Sequence, residues 1–333
     1  MSQPYATRSL SSALIGRSFV HPAFDYMLIG GGLSLVVTAI VCMYPAAQSI
    51  GYMSFDSESI TGFAALPFII LISNSAHFAS STVRLYTKPD STKALPFLTM
   101  AFPLVALAIL TLCIFQAERL GQHLQALYLT WSPYHYAAQA YGLAVMYSYR
   151  SGCLLAQSDK KMLWWVCMLP FFFNFLTGHK IGLEWIIPAQ LLEITTVEQV
   201  RTGVGVVLTI LAFVTILALF TKVWRSKSGT MPLISLLIII TNGIWWFVLP
   251  TLQAFVWATI FHGIQYLAIV IIFHLKDQMN RPDNTHGSLY HVLWFYAASL
   301  LLGYSLFRCL PLAYVFAGFD LVESLLLVVA AIN

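Results

Sequence analysis

Long apolar stretches alternate along this chain with short polar segments. A stretch of about 20 apolar residues is enough for one helix to cross the hydrocarbon core of a bilayer. Ten such stretches can be laid out, over residues 24–47, 62–86, 95–116, 124–149, 162–178, 202–223, 231–249, 251–275, 289–307 and 310–331. The pattern predicts an all-α, polytopic transmembrane helical bundle. Residues 1–20 would form a cytoplasmic N-terminal segment, and residues 21–333 a single transmembrane helical domain.

Prolines mark two of the predicted boundaries. The seventh and eighth stretches meet at the tight turn Leu249-Pro250, and the last two meet near Cys309-Leu310-Pro311. Residues 181–192 are too short to span a bilayer and carry Glu184, Trp185 and Pro188, which predicts an interfacial or re-entrant segment.

The distribution of basic residues gives this layout an orientation. Positively charged residues collect on the cytoplasmic side of membrane proteins. With both termini inside, thirteen of the 17 Lys and Arg residues fall in cytoplasmic segments: Arg8, Arg17, Arg84, Lys88, Lys93, Arg150, Lys160, Lys161, Lys222, Arg225, Lys227, Lys276 and Arg281. The outside segments collect acidic residues instead. We therefore predict ten spans with both termini cytoplasmic, in a multi-pass protein of a bacterial inner membrane.

Composition excludes several classes of protein. Only 9% of the residues are charged and 59% are hydrophobic, whereas a soluble domain carries about 25% charged residues. This argues against a soluble enzyme, a disordered chain or a disulfide-stapled secreted protein. The net charge is +4, but the basic residues form no continuous run. We therefore expect no nucleic acid among the partners. The apolar composition predicts membrane lipid as a partner instead. The five cysteines are scattered and are read as small core residues.

Ionisable residues at membrane depth are costly, and this makes them candidates for function. His77 lies among small polar residues in 73–81, where helical spacing puts Ser73 and Ser81 on its face. His135 and Gln139 are one turn apart, just after Pro133. Each histidine could instead make a helix–helix contact or a buried hydrogen bond.

Three further groups complete the candidates. His262 and Gln265 flank Gly263, which allows close approach to the backbone. His21 and Asp25 open the first stretch, where a helix cap and an interface anchor are the alternative roles. Asp320 and Glu323, three residues apart in the last stretch, must be paired, protonated or metal-bound, with a salt bridge to Arg84 as one alternative.

Depth suggests that three of the histidines can meet. His77, His135 and His262 lie about nine, fourteen and thirteen residues from the inner ends of their predicted spans. At about 1.5 Å per residue, these positions are roughly 14, 21 and 20 Å deep. The three imidazoles thus share one layer, whereas His21 lies at the cytoplasmic edge.

Neutral imidazoles that converge in an apolar bundle suit a transition metal. Iron with several histidine ligands and an open position performs O2 chemistry, and the 23 Phe, 16 Tyr and 9 Trp could line a cavity for a long lipophilic substrate. Two alternatives stay open. One is haem held by two histidines; the other is a transporter or non-catalytic membrane subunit that uses the same polar residues.

Short motifs carry a resemblance to a known family. The segments His21-Pro22-Ala23-Phe24-Asp25, His77-Phe78-Ala79 and His262-Gly263-Ile264, with His135-x-x-x-Gln139, resemble motifs of the Brp/Blh family. These multi-span membrane enzymes cleave β-carotene to retinal with histidine-bound iron. Proline replaces the glycine of the family's His-Gly, and Gln139 replaces the second histidine of its His-x-x-x-His pair. The resemblance implies iron, O2 and a hydrophobic substrate.

We therefore predict a membrane-embedded, histidine-ligated non-haem iron oxygenase or oxidase. Among such oxidoreductases, the expected type is a dioxygenase. Its substrate would be a lipophilic small molecule such as a carotenoid or lipid. The predicted site residues are the metal ligands His21, His77, His135 and His262, the cofactor-contacting Gln139 and Gln265, and the catalytic Tyr141, Tyr266 and Asp25.

Overall fold

A computed structural model describes residues 14–43, 69–178, 183–184, 186–224, 229–249, 251–316 and 318 of the 333. These residues form helices and no strand, which confirms the all-α class. The α-helices are α1 Pro22–Phe24, α2 Gly32–Met43, α3 Ala76–Thr87, α4 Ser91–Ala94, α5 Phe102–Phe115, α6 Ala117–Arg150, α7 Gln157–Thr177, α8 Ala189–Leu192, α9 Thr195–Trp224, α10 Leu233–Val248, α11 Thr251–Met279, α12 Ser288–Tyr304 and α13 Leu310–Phe316. Asp320 and Glu323 lie outside the described residues.

Among the described residues, four wider, π-helical turns adjoin these helices. They are Asp25–Ile29 after α1, Leu71–Ser75 before α3, Phe97–Ala101 before α5, and Ser305–Cys309 between α12 and α13. Such turns are rare and often lie at functional sites. The turn at Leu71–Ser75 directly precedes His77.

Three helices of the described part are long and apolar enough to cross a membrane, namely Thr195–Val223, Gln253–Met279 and Ser288–Leu312. A fourth is added if Pro22–Ile29 and Gly32–Met43, bent by 52°, form one span. In the most apolar 18-residue part of α11, 50% of the residues are buried. The corresponding share is 17% both in α9 and in the helix formed by α12 and α13. These helices indicate a membrane protein, with α11 the most enclosed of the three.

One predicted boundary is wrong. The ninth and tenth stretches were expected to separate near Cys309-Leu310-Pro311, but the helix continues from Ser288 through the π turn into Leu310–Phe316. Proline removes one backbone donor and crowds the preceding turn. Here the wider turn Ser305–Cys309 comes directly before that position, and the helix is not interrupted. By contrast, α10 ends at Val248 and α11 begins at Thr251, which confirms the break at Leu249-Pro250.

The chain divides into two compact units. The first comprises residues 1–48, 133–180 and 189–255. Within it, α7 packs against α9 and α10, and α10 packs against α2. Polar contacts join these helices: the Asn242 side chain donates to the Cys167 carbonyl, and Lys222 forms an ion pair of 2.6 Å with the buried Asp159.

The second unit comprises residues 49–132, 181–188 and 256–333. Its main contact is between α12 and α3, and α12 also packs on the turn Leu71–Ser75. The Tyr296 hydroxyl on α12 donates to the Ile72 carbonyl at 2.7 Å. Arg84 on α3 forms an ion pair with Asp277 on α11, so α3 is tied to two neighbours.

Candidate metal centre

His77 lies in the first turn of α3, where three segments meet closely. The preceding turn, Leu71–Ser75, has two glycines packed against its backbone. A Cβ added to Gly263 of α11 would lie 3.0 Å from the Ser73 carbonyl oxygen, and one added to Gly303 of α12 would lie 2.5 Å from that of Ser75. Glycine at both positions allows α11 and α12 to approach the turn that positions His77.

His77 and His262 are in direct contact within the second unit. Their Nε2 atoms are 3.2 Å apart, and the ring planes are nearly perpendicular, at 84°. The two residues are 4% and 5% exposed. His262 lies nine residues after the start of the candidate span Gln253–Met279, which is about 14 Å along the helix axis. Two imidazole nitrogens therefore face each other in a buried site.

Tyr266 is the third member of this cluster. It follows His262 by one helical turn, and its ring centroid lies 4.4 Å from that of His77 in an edge-on arrangement. Its hydroxyl is 2.8 Å from the Ser81 hydroxyl on α3. Tyr266 thus packs against the His77 ring and is itself held in place by α3. Gln265 occupies the neighbouring position on α11 and is half-buried.

Other small polar residues near His77 serve their own helix. The Ser73 hydroxyl donates to the Ile69 carbonyl, and the Ser80 hydroxyl donates to the His77 carbonyl. Serine often bonds in this way to the preceding turn. These bonds satisfy two buried hydroxyl groups within their own segment of the chain.

His135 and Gln139 lie on the part of α6 that belongs to the first unit. Both are half-buried, and Pro133 lies inside the helix without ending it. The ring of His135 is 6.4 Å from that of its neighbour Tyr136, centroid to centroid. The place of His135 and Gln139 at a metal centre stays a prediction.

His21 and Asp25 form a local structure at the start of the first unit. The exposed His21 is the N-cap of α1, and its Nδ1 accepts the Ala23 amide at 3.2 Å. Asp25 is fully buried and accepts hydrogen bonds from the Phe19 amide at 2.5 Å and the Tyr147 hydroxyl at 2.7 Å. Asp25 therefore anchors the N-terminal segment on α6, and its predicted catalytic role stays a prediction.

Tyr141 has a different setting from Tyr266. It lines a small pocket of about 170 Å³ in the first unit, together with Gln157, Lys160 and Trp164. A hydrogen bond with Tyr149 raises the pKa of the neighbouring Lys160 ammonium group. The pocket thus carries positive charge at the start of α7, and nothing in it supports or excludes the predicted catalytic role of Tyr141.

Sequence reasoning missed the partner of Arg84. The carboxylates Asp320 and Glu323 were considered, but Asp277 of α11 holds the guanidinium group. The sequence does place an acidic residue at a suitable level: Asp277 lies just after the predicted span 251–275, between Lys276 and Arg281. Which of several nearby carboxylates pairs with Arg84 depends on how α3 and α11 pack.

Comparison of the chain with protein-family models, with curated proteins and with solved structures found no match.

Proposed function

We propose that the chain is a membrane-embedded, histidine-ligated non-haem iron oxygenase or oxidase that acts on a lipophilic substrate. The observation that carries the proposal is the His77–His262 pair, whose Nε2 atoms are 3.2 Å apart in a buried site.

The distance between the two nitrogens fits a shared metal ion. Imidazole nitrogens bind metals such as zinc at about 2.0–2.1 Å. Two such bonds at about 90–109° to each other place the nitrogens about 2.8–3.4 Å apart by simple geometry. The observed 3.2 Å lies within this interval. A direct hydrogen bond between two neutral imidazoles gives a similar distance, so metal content is the property that separates the two interpretations.

His135 is the third ligand in this proposal, on the grounds of its predicted depth. His21 is left out of the ligand set, because it is exposed and its Nδ1 already accepts the Ala23 amide. Gln139 and Gln265 follow His135 and His262 by four and three residues, a spacing that keeps each near its histidine on one helical face. They are proposed to hydrogen-bond to the ligands or the bound molecule.

Imidazole-bound ferrous iron with an open coordination position activates O2 when the metal is bound. The protein contributes position and shielding. Tyr266 packs on the His77 ring and restricts its rotation, while the Ser81 hydroxyl fixes the Tyr266 hydroxyl. The burial of His77 and His262 keeps water away from the nitrogens. An apolar, aromatic-rich bundle suits a carotenoid- or lipid-like substrate better than a polar one.

The ten-span topology with both termini inside is part of the same proposal. The three long apolar helices and the bent fourth pair support the membrane location. The bias of basic residues toward the predicted cytoplasmic segments supports the orientation. A multi-pass protein of this kind would receive its substrate from the lipid phase.

Metal analysis of the detergent-purified chain tests the proposal. We expect close to one iron per chain and no Soret band in the visible spectrum. The His262→Ala substitution removes one of two facing nitrogens and should lower the iron content at least tenfold, because loss of a ligand to a transition metal removes a strong bond.

His286→Ala is the matched control. His286 is exposed and lies in the segment between α11 and α12, in the same unit as His262. Iron retained in this control and lost in His262→Ala supports the site. A folded, metal-free wild-type protein would favour the direct His–His hydrogen bond, and a Soret band would favour haem.

A further inference from the structure

A second polar site lies at the far end of α3 and α11, in the second unit. It is a pocket of about 340 Å³. The polar groups of its lining are His274 and Gln278 of α11, Thr87 of α3, and Arg281 and His291. These residues take no part in the proposed metal centre, which involves the opposite end of α3.

The pocket lies at the level of a membrane boundary. One candidate span ends at Met279, and the next begins at Ser288. His274 lies five residues before Met279, and His291 lies three residues after Ser288. The aromatic side chains of Tyr86, Tyr290 and Trp294 line the same pocket and are 44–49% exposed. Aromatic residues of this kind are typical of the interface between lipid and water.

Among the charged groups around His274, positive charge exceeds negative charge. Arg84, Arg281 and Asp277 all lie close enough to His274 to interact with it electrostatically. Asp277 pairs with Arg84, so one guanidinium group has no carboxylate to balance it among the charged groups around His274. That group belongs to Arg281, which is half-buried and lines the pocket. A charge partly removed from water is costly unless it is paired, and this favours an anion in the pocket.

Unpaired donor atoms in and beside the pocket also favour an anion. One terminal nitrogen of Arg84 (Nη1) and the Nε of Arg281 are buried and have no hydrogen-bond partner among the described residues. One terminal nitrogen of Arg281 (Nη2) donates to the Thr87 carbonyl at 2.6 Å. Guanidinium donors of this kind bind phosphate and carboxylate oxygens strongly.

His274 adds a preference among anions. The Thr87 hydroxyl donates its proton to the Val83 carbonyl at 2.8 Å, so it accepts from Nδ1–H of His274 at 3.3 Å. The Nε2 of a neutral His274 then carries a lone pair. This atom is buried and has no partner among the described residues, and the residue is 1% exposed. It can accept a proton from the bound group.

We propose that this pocket binds a phosphate monoester group. The guanidinium group of Arg281 would donate to its oxygens, and the proton of its second ionisation, with a pKa near 6, would be shared with Nε2 of His274. A phosphodiester has no such proton. The exposed aromatic residues would cover an apolar chain attached to the phosphate, so both a soluble phosphate and a phosphorylated lipid satisfy the chemistry. The proposal is independent of the metal centre.

Binding to the purified full chain in detergent tests the site, with three probes: inorganic phosphate, dihexanoyl phosphatidic acid and dihexanoyl phosphatidylglycerol. We expect phosphatidic acid, a monoester, to bind at least tenfold more tightly than phosphatidylglycerol, a diester. Inorganic phosphate that binds as tightly as phosphatidic acid would identify a soluble ligand. Weaker binding of inorganic phosphate would identify a lipid. Either result supports the phosphate site.

Variants separate the pocket from general surface charge. Arg281→Gln should weaken binding of phosphatidic acid by about tenfold or more, because a charge-assisted contact is lost. Lys276→Gln removes an exposed positive charge from the same helix, outside the pocket lining, and should leave binding unchanged. If Arg281→Gln fails to fold, Arg281→Lys keeps the charge but lacks the Nε donor, and should weaken binding severalfold.

Three results would overturn the proposal. One is the absence of binding by both phosphate and phosphatidic acid to the folded wild-type chain. Another is equal loss of affinity in Lys276→Gln and in the Arg281 variants, which would indicate unspecific attraction. The third is phosphatidylglycerol binding as tightly as phosphatidic acid, which contradicts the role of His274 as proton acceptor.

Discussion

The imidazoles of His77 and His262 illustrate what residue-level reasoning can reach. Ionisable side chains at membrane depth are unusual, and this alone singled out both residues. Counting residues along each predicted span placed them in one shallow layer. The direct contact of their Nε2 atoms, at 3.2 Å, depends on side-chain rotamers and on the rotation of α3 and α11 about their axes. The spacing of residues in the sequence determines neither the rotamers nor the rotation of the helices.

Asp25 illustrates the converse. Its position suggested a helix cap or a catalytic role, and its surroundings now favour an anchor. Its carboxylate accepts from two backbone amides and the Tyr147 hydroxyl while fully buried. The segment that it holds was part of a polar N-terminus in the sequence, with no signal for these contacts.

Asp25→Asn should therefore destabilise the protein without emptying the metal centre. The amide replaces an acceptor oxygen with a donor group that faces other donors, and we expect a loss of about 2–4 kcal/mol in the free energy of unfolding. Thermal unfolding in detergent and metal analysis of the same sample provide the check. Asp283→Asn, at an exposed position, is the control.

A different result for Asp25→Asn would restore its predicted function. Wild-type stability together with loss of iron or of substrate oxidation would mean that the carboxylate acts at the reaction centre. The anchoring account would then be incorrect.

At the scale of elements, the π turn Leu71–Ser75 and its two glycine contacts position His77. Gly263 and Gly303 come from different helices, yet both pack on the backbone of this turn. The sequence suggested the role of Gly263 because of its neighbour His262. Gly303 gave no such signal, because its contact joins residues more than 200 positions apart.

Gly303→Ala should destabilise the second unit and disturb the metal centre. The new Cβ would lie 2.5 Å from the Ser75 carbonyl oxygen and 2.7 Å from its carbon, so α12 or the turn must shift. Overpacking of this kind costs about 1–3 kcal/mol. We expect a lower unfolding temperature and a reduced iron content.

Gly142→Ala provides the matched control for this substitution. Gly142 lies inside α6, and a Cβ there meets nothing within 4 Å. Alanine in a helix interior is favoured over glycine by about 0.5–1 kcal/mol, so stability should stay equal or rise. Equal behaviour of the two variants would contradict the close packing at Gly303.

At the scale of the whole molecule, composition and hydropathy were sufficient for the all-α class and the membrane location. Helix ends were less predictable. The apolar content of a segment does not reveal a π turn. The helix continues through Ser305–Cys309, where the sequence predicted a break. The pocket at His274 was also missed, because its polar groups resemble ordinary interfacial residues when each is considered alone.

Orientation can be tested by labelling single cysteines in intact cells. Cys42 and Cys309 are exposed and would first be replaced by serine. A membrane-impermeant maleimide should then label the Glu193→Cys variant in intact cells, because residue 193 is predicted outside. The Asp283→Cys variant should react only after the membrane is opened. The reverse pattern would invert the proposed topology.

The most direct measurement of the central claim is an iron K-edge X-ray absorption spectrum of the purified chain, beside the His262→Ala variant. We predict nitrogen scatterers at about 2.1 Å, with the outer-shell signal of imidazole carbons, and loss of bound iron in the variant. A folded wild-type chain without iron would contradict the account. So would an iron spectrum that is unchanged when His262 is replaced.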